Sequence, residues 1–180
     1  MDIKALMYVL GVTLAHIIFI NMGYFDSVTT ELGYEMYAER PDSIPFLNNI
    51  PMPMNTFVNF GYFLVGAYWF AVFATEGNFY GECFSWYSMV YCFIQLTRIV
   101  YQTQRSAVLD QWITTTIFCH VMVWVTRIPC DGIVTRLVRA VDHRLVILIS
   151  FFSYFLACVS QIGFDLSLGV HILLAVAVGI

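Results

Sequence analysis

Gln95, Arg98 and Gln102 stand three and then four residues apart, a spacing that puts all three on one face of a helix. Asp110 follows beyond a short break, one turn past Ser106, which is placed to cap a helix start. Asn55 and Asn59 likewise share a face, one turn apart. All of these side chains sit in or beside long apolar stretches, so they must be justified against lipid rather than water. A charged side chain at bilayer depth costs about 2.5–3.5 kcal/mol on insertion scales, and more when unpaired. Arg98 and Asp110 are separated by a short turn and can neutralise each other. Two readings stay open for them: an ion pair joining two helices, or a polar pocket that receives a ligand. Asn55 and Asn59 also admit a plain role, hydrogen-bonding neighbouring helices at about 0.6–2 kcal/mol per bond.

His171 is a lone imidazole. Residues 167, 174 and 175 are Ser, Leu and Ala, so it makes no metal site by itself. His16 and His120 are isolated on apolar faces and read as core histidines. No His-Glu-x-x-His, Gly-x-Ser-x-Gly or glycine-rich phosphate cradle occurs. No catalytic residue and no metal ligand is therefore assigned. The candidate binding pocket is Asn55, Asn59, Gln95, Arg98, Asp110 and His171.

The elements that position these residues are apolar helices. Hydrophobic residues make up 60% of the 180 and charged residues 11%, where a water-soluble domain runs close to a quarter charged. Crossing a hydrocarbon core of about 30 Å takes roughly 20 apolar residues in a helix. Six stretches qualify or come near: 5–23, 56–74, 84–101, 108–126, 145–162 and 168–180. They are too long and too uniformly apolar for the alternating strands of a membrane barrel. The fold class is all-α, a polytopic membrane helical bundle in one transmembrane domain over residues 1–180. The last stretch holds only thirteen residues, so the chain reads as a short isoform or fragment of a longer protein. The first stretch lacks a basic leader and a small-x-small cleavage pattern, and reads as a retained span rather than a signal peptide.

If six spans alternate, helices two and four begin, and helix three ends, at the same membrane edge. His171 and the acidic first loop, 24–55, fall there too. That loop contains Asp26, Glu31, Glu35, Glu39 and Asp42, with Pro41, Pro45, Pro51 and Pro53 to stiffen it and Tyr34, Tyr37 and Phe46 to lie at an interface. It is either a packed cap or an ordinary solvated face. The opposite edge receives Lys4, Arg127, Arg136, Arg139 and Arg144, against Arg40, Arg98 and Arg105, which slightly favours a cytosolic N-terminus. Arg136 and Arg139 suit anionic headgroups. The five cysteines (Cys83, Cys92, Cys119, Cys130, Cys158) show no zinc spacing and read as small apolar packing residues. A net charge of −4 is mild, and nothing suggests nucleic acid. The partners expected are membrane lipid and a membrane-protein partner.

Four segments carry a family resemblance: Gly23-Tyr-Phe-Asp-Ser-Val28, Leu32-Gly-Tyr-Glu-Met-Tyr-Ala-Glu39, Met54-Asn-Thr-Phe-Val-Asn59 and Arg105-Ser-Ala-Val-Leu-Asp-Gln-Trp112. They resemble the transmembrane protein 187 family, from about residue 22 to the end. The resemblance implies a multi-pass membrane protein without an established activity, in a family whose members are longer than this chain. More distantly, Asn55-Thr56…Asn59 and Leu109-Asp110 are similar in type and order to helix starts of the alkaline ceramidase-like membrane hydrolases. That likeness implies a shared fold and, as an alternative function, a diverged lipid-amide hydrolase using zinc. The zinc ligands it requires are missing. Its first histidine position reads Ile99, beside Arg98, and the final helix that would hold the other two is absent. No cofactor is therefore expected, zinc entering only under that alternative. A non-catalytic bundle with a polar pocket at one membrane edge is the leading reading. A transporter or channel ranks last, because the opposite halves of the spans are almost purely apolar.

Overall fold

The structure is a computed structural model that describes residues 3–35, 39, 50–128, 132–140 and 142–179. Tyr37, Arg40, Pro41, Asp42, Pro45, Phe46 and Cys130 lie outside the described residues. Eight helices are present among those described: α1 Ile3–Asn21, α2 Pro53–Glu76, α3 Phe79–Tyr101, α4 Gln104–Val125, α5 Ile133–Ala140, α6 His143–Ser153, α7 Leu156–Val159 and α8 Gly163–Gly179. The all-α fold class holds. Helices α1, α2 and α4 are long and apolar enough to cross a membrane, and the stretches His143–Val159 and Gly163–Val178 are shorter apolar helices. Helix α3 is equally long, at 23 residues, but carries Glu82, Gln95 and Arg98. The chain divides into two compact units, Met1–Asp26 with Thr30–Asp110, and Ser27–Thr29 with Gln111–Ile180.

In the first unit α2 and α3 form an antiparallel hairpin with α1 against α3. Gly77 turns the chain at φ +65, its N–H returning to the Phe73 carbonyl, and the Asn78 side chain caps α3 by accepting from Gly81 N at 3.0 Å. A Cβ on Gly66 would lie 2.8 Å from the Ser85 carbonyl oxygen, so α2 and α3 approach at backbone distance. This is the small-residue packing that membrane helices use where hydrophobic driving force between helices is absent. The Cys83 thiol donates to the Ala5 carbonyl at 3.9 Å, and Tyr8 meets Tyr87 edge-on, joining α1 to α3. Outward faces of α1 and α2 leave Met7, Leu14, Phe57, Val58 and Leu64 exposed, the surface a lipid-facing helix presents.

Between α3 and α4 the turn is two residues long. Gln102 ends α3 at φ 42, and Thr103 and Ser106 hydrogen-bond each other's backbone N–H and hydroxyl reciprocally. Ser106 was the expected cap. Thr103 holds the cap position instead, one residue before α4, and Ser106 is the residue that reaches back.

The second unit is organised around Trp112, which is wholly buried. Its indole N–H donates to the Phe151 carbonyl at 2.7 Å, and its ring stacks on Tyr154 at 5.5 Å between centroids. The expected helix over 145–162 does not run through. Bonds of the i→i+3 kind at Phe155, Ala157 and Cys158 tighten the chain after α6, and Ser160 is extended. At Gly163 a Cβ would stand 2.1 Å from the Leu156 carbonyl oxygen, so only glycine fits where α8 leaves α7. The last helix accordingly starts at Gly163, five residues before the expected 168.

Candidate functional site

Three of the six expected site residues meet. The Asp110 carboxylate lies 3.5 Å from Arg98 Nε, with side chains 15% and 10% exposed. Gln95 Nε2 donates to Asp110 Oδ1 and reaches the Tyr91 hydroxyl, and Tyr91 itself hydrogen-bonds Asp110. Tyr91, Gln95 and Arg98 follow one another at four and three residues along α3, so the helix period alone brings them to one acid on α4. Neutral hydrogen bonds matter here, because attraction within a buried pair only partly repays its desolvation.

The same end of α3 is bound to the first loop. Arg98 Nη2 donates to the Glu31 carbonyl at 3.1 Å, the Gly33 N–H to Gln102 Oε1 at 3.1 Å, and the Tyr34 hydroxyl to the Ile99 carbonyl at 3.0 Å. Gln104 Nε2 donates to the Phe25 carbonyl at 2.6 Å. Of the two readings of this loop, the packed cap is the one seen at Phe25 and over 31–34. Glu39 acts as a cap in the stricter sense. Its carboxylate accepts from Met54 N and Asn55 N, both at 2.8 Å, at the start of α2, where the helix dipole favours an anion.

Asn55 and Asn59 join no part of the Asp110 group that the described hydrogen bonds define. Asn55 is engaged with Glu39 through its backbone and with the Met52 sulfur through its amide, and Asn59 is buried one turn on. His171 belongs to the second unit, with a polar set of its own. Its Nδ1 lies 2.7 Å from the Ser167 carbonyl and its Nε2 lies 2.7 Å from Ser150 Oγ. His16 is buried with Nδ1 2.7 Å from the Val12 carbonyl, as a core histidine should be.

Tyr91, Ser150, Ser153 and Ser167 were missed as site residues. Tyr91 and Ser167 each stand one turn before a residue that was singled out, Gln95 and His171, which is the signal that could have found them. Also unforeseen is a cavity of about 250 Å³ where α1 and α3 end and α4 begins, lined by Ile17, Ile20, Thr97, Tyr101, Arg105 and Leu109. Arg105 stands at its rim, 3.0 Å from Asn21 Oδ1 and 3.8 Å from the Asp26 carboxylate, with both charged side chains more than half exposed.

The sequence profile of the TMEM187 protein family matches residues 5–180. The chain belongs to that family. It is 35% identical to "Transmembrane protein 187" of Bos taurus over 167 residues, covering 87% of this chain and 62% of the relative. Against "Transmembrane protein 187" of Homo sapiens it is 34% identical over 158 residues, 86% of this chain and 58% of the relative. The chain thus spans about three fifths of the length of these relatives. No solved structure matches. Family and apolar helices together make this TMEM187 chain a membrane protein. Among the described residues no three His, Cys, Asp or Glu side chains gather closely enough to hold a metal ion.

Proposed function

We propose that this chain is a multi-pass, non-catalytic membrane bundle that binds an anionic lipid headgroup at the edge where α1 and α3 end and α4 begins. The observation that carries the reading is the Arg105 guanidinium at the rim of an apolar cavity, held by an amide and by one exposed carboxylate. Exposed ion pairs contribute about 0–1 kcal/mol, so Asp26 is a weak competitor for a phosphate. The cavity below takes the start of an acyl chain against Ile17, Ile20 and Leu109. The neighbouring Arg98–Asp110 pair supports a non-catalytic role. Arg98 and Asp110 are engaged with each other, with Gln95 and Tyr91, and with a loop carbonyl, so the pair braces the edge rather than meeting a substrate.

Purified chain in nanodiscs of mixed phosphatidylserine and phosphatidylcholine should retain the anionic lipid preferentially when bound lipid is quantified by native mass spectrometry. One basic residue near an anionic surface adds about 1 kcal/mol, so Arg105→Gln should cut that preference roughly fivefold. An unchanged lipid ratio in the variant rejects the reading.

A further inference from the structure

A second cavity, of about 350 Å³, lies within the second unit between α4, α5, α6 and α8. Its volume is at the low end of the roughly 300–1,000 Å³ typical of ligand sites. The walls are apolar, with Met122, Leu137, Val146, Ile149, Val170 and Leu174 among them, and the polar end is Ser150, Ser153 and His171.

The protons at that end can be assigned. His171 Nδ1 faces a backbone carbonyl, which only accepts, so Nδ1 carries the hydrogen and Nε2 is left as the acceptor. Ser150 then donates its hydroxyl hydrogen to Nε2 at 2.7 Å, the nearer of its two acceptors, the Thr115 carbonyl standing off at 3.4 Å. Ser153 donates to the Ser150 carbonyl at 2.6 Å, so the 2.8 Å contact between Ser153 and Ser167 is donated by Ser167. The four donors run in a closed ring, Ser167 to Ser153 to α6 at Ser150, Ser150 to His171, and His171 back to Ser167. Every hydrogen is used within the protein. What remains toward the cavity is acceptor capacity on the oxygens of Ser150 and Ser153.

A site of that kind selects a donor. No Lys, Arg, Asp or Glu lines it, so an ion would be desolvated without a counter-charge. Water fits poorly, since beyond this end there are no polar partners for it. We propose that the cavity binds a single-tailed, uncharged amphiphile whose hydroxyl donates to Ser150, with its chain along α6 and α8. The small volume favours one tail over two. Lipid tails are as apolar as these walls, so chain burial alone gives little preference and the head decides. The site is a binding site and not a serine nucleophile's. Ser150 lies inside α6, whose backbone N–H groups are committed to the helix and cannot stabilise an oxyanion.

The test uses the full chain in phosphatidylcholine nanodiscs and a hexadecanol bearing a mid-chain diazirine and a terminal alkyne. Photolabelling should map to α6 and α8. Unlabelled hexadecanol should compete at least tenfold better than its methyl ether, which has no hydrogen to donate. Leu137→Trp, at a position already 64% exposed on α5, should fill the cavity and abolish labelling without unfolding the chain. Ile149→Trp provides a second filling variant. Ser150→Ala should erase the difference between alcohol and ether. Equal competition by the ether on the parent chain, or undiminished labelling of folded Leu137→Trp, overturns the proposal.

Discussion

Around Asp110 the buried polar side chains include an arginine and an aspartate and come from the end of α3 and the start of α4; around His171 they are an imidazole and hydroxyls from α6 and α8. The first group spends its hydrogen bonds on the chain's own loop and leaves little for a ligand. The second closes on itself through hydrogens and keeps its lone pairs free. Charge in an apolar setting demands an internal counter-charge, whereas hydroxyls and an imidazole can be satisfied as donors and still offer acceptors.

The largest expected effect separates the two groups by what a single deletion leaves behind. Arg98→Ala strands a carboxylate and Asp110→Ala strands a guanidinium, each a loss of about 3–5 kcal/mol for a buried pair. The double variant should cost less than the sum of the two. Reversible unfolding in mixed micelles, followed by circular dichroism, measures all three. Additivity would mean that the 3.5 Å contact carries no coupling, and the contrast with the His171 group would lose its basis.

Next in size is the loop that the charged group holds. Gly33 sits at φ +86 with open space around its Cα, so alanine there meets backbone strain and no clash. A left-handed conformation costs an L-residue about 1–2 kcal/mol. Gly33→Ala should therefore speed hydrogen–deuterium exchange over residues 31–35 while exchange in α6 and α8 stays as in the parent. Faster exchange in both places would show that the loop is not a local latch.

How much of this was legible beforehand follows the same division. Gln95, Arg98 and Asp110 could be grouped from spacing alone, because charge in lipid demands a counter-charge and a 3.6-residue period fixes the face that supplies it. The period says nothing about what lies opposite, which is why Asn55 and Asn59 were pooled with the trio and stand apart from it. Counting alternate spans puts His171 in the same pocket, and the break after α6 undoes that count. Apolar residues on both sides of the α6–α7 break hide it from any hydropathy reading, since Phe152, Phe155 and Leu156 suit a helix or a tight turn equally well. Gly163 was the available sign, and it gains meaning only once the Leu156 carbonyl is seen 2.1 Å from its missing Cβ. Ser167 stands one turn from His171, a spacing that suits a hydrogen-bond partner as well as a metal ligand.

Removing one member of the His171 ring of donors should be milder. Hydrogen bonds between membrane helices average about 0.6 and reach about 1.7 kcal/mol, so Ser150→Ala and His171→Leu should each fall in that range by the same unfolding measurement. A loss as large as that of Asp110→Ala would erase the distinction between the two regions.

The smallest effect sharpens the edge of the first group. Asp26 and Arg105 meet at 3.8 Å with side chains 59% and 52% exposed, a geometry in which the pair contributes about 0–1 kcal/mol to stability. Asp26→Asn should leave the unfolding midpoint where it is. It should also release Arg105 from its competitor, so the ratio of phosphatidylserine to phosphatidylcholine retained in nanodiscs should rise, opposite in sign to Arg105→Gln. A shifted midpoint with an unchanged lipid ratio would make this pair a structural brace like Arg98 and Asp110, and the edge would then hold two closed ion pairs in place of one closed and one open to lipid.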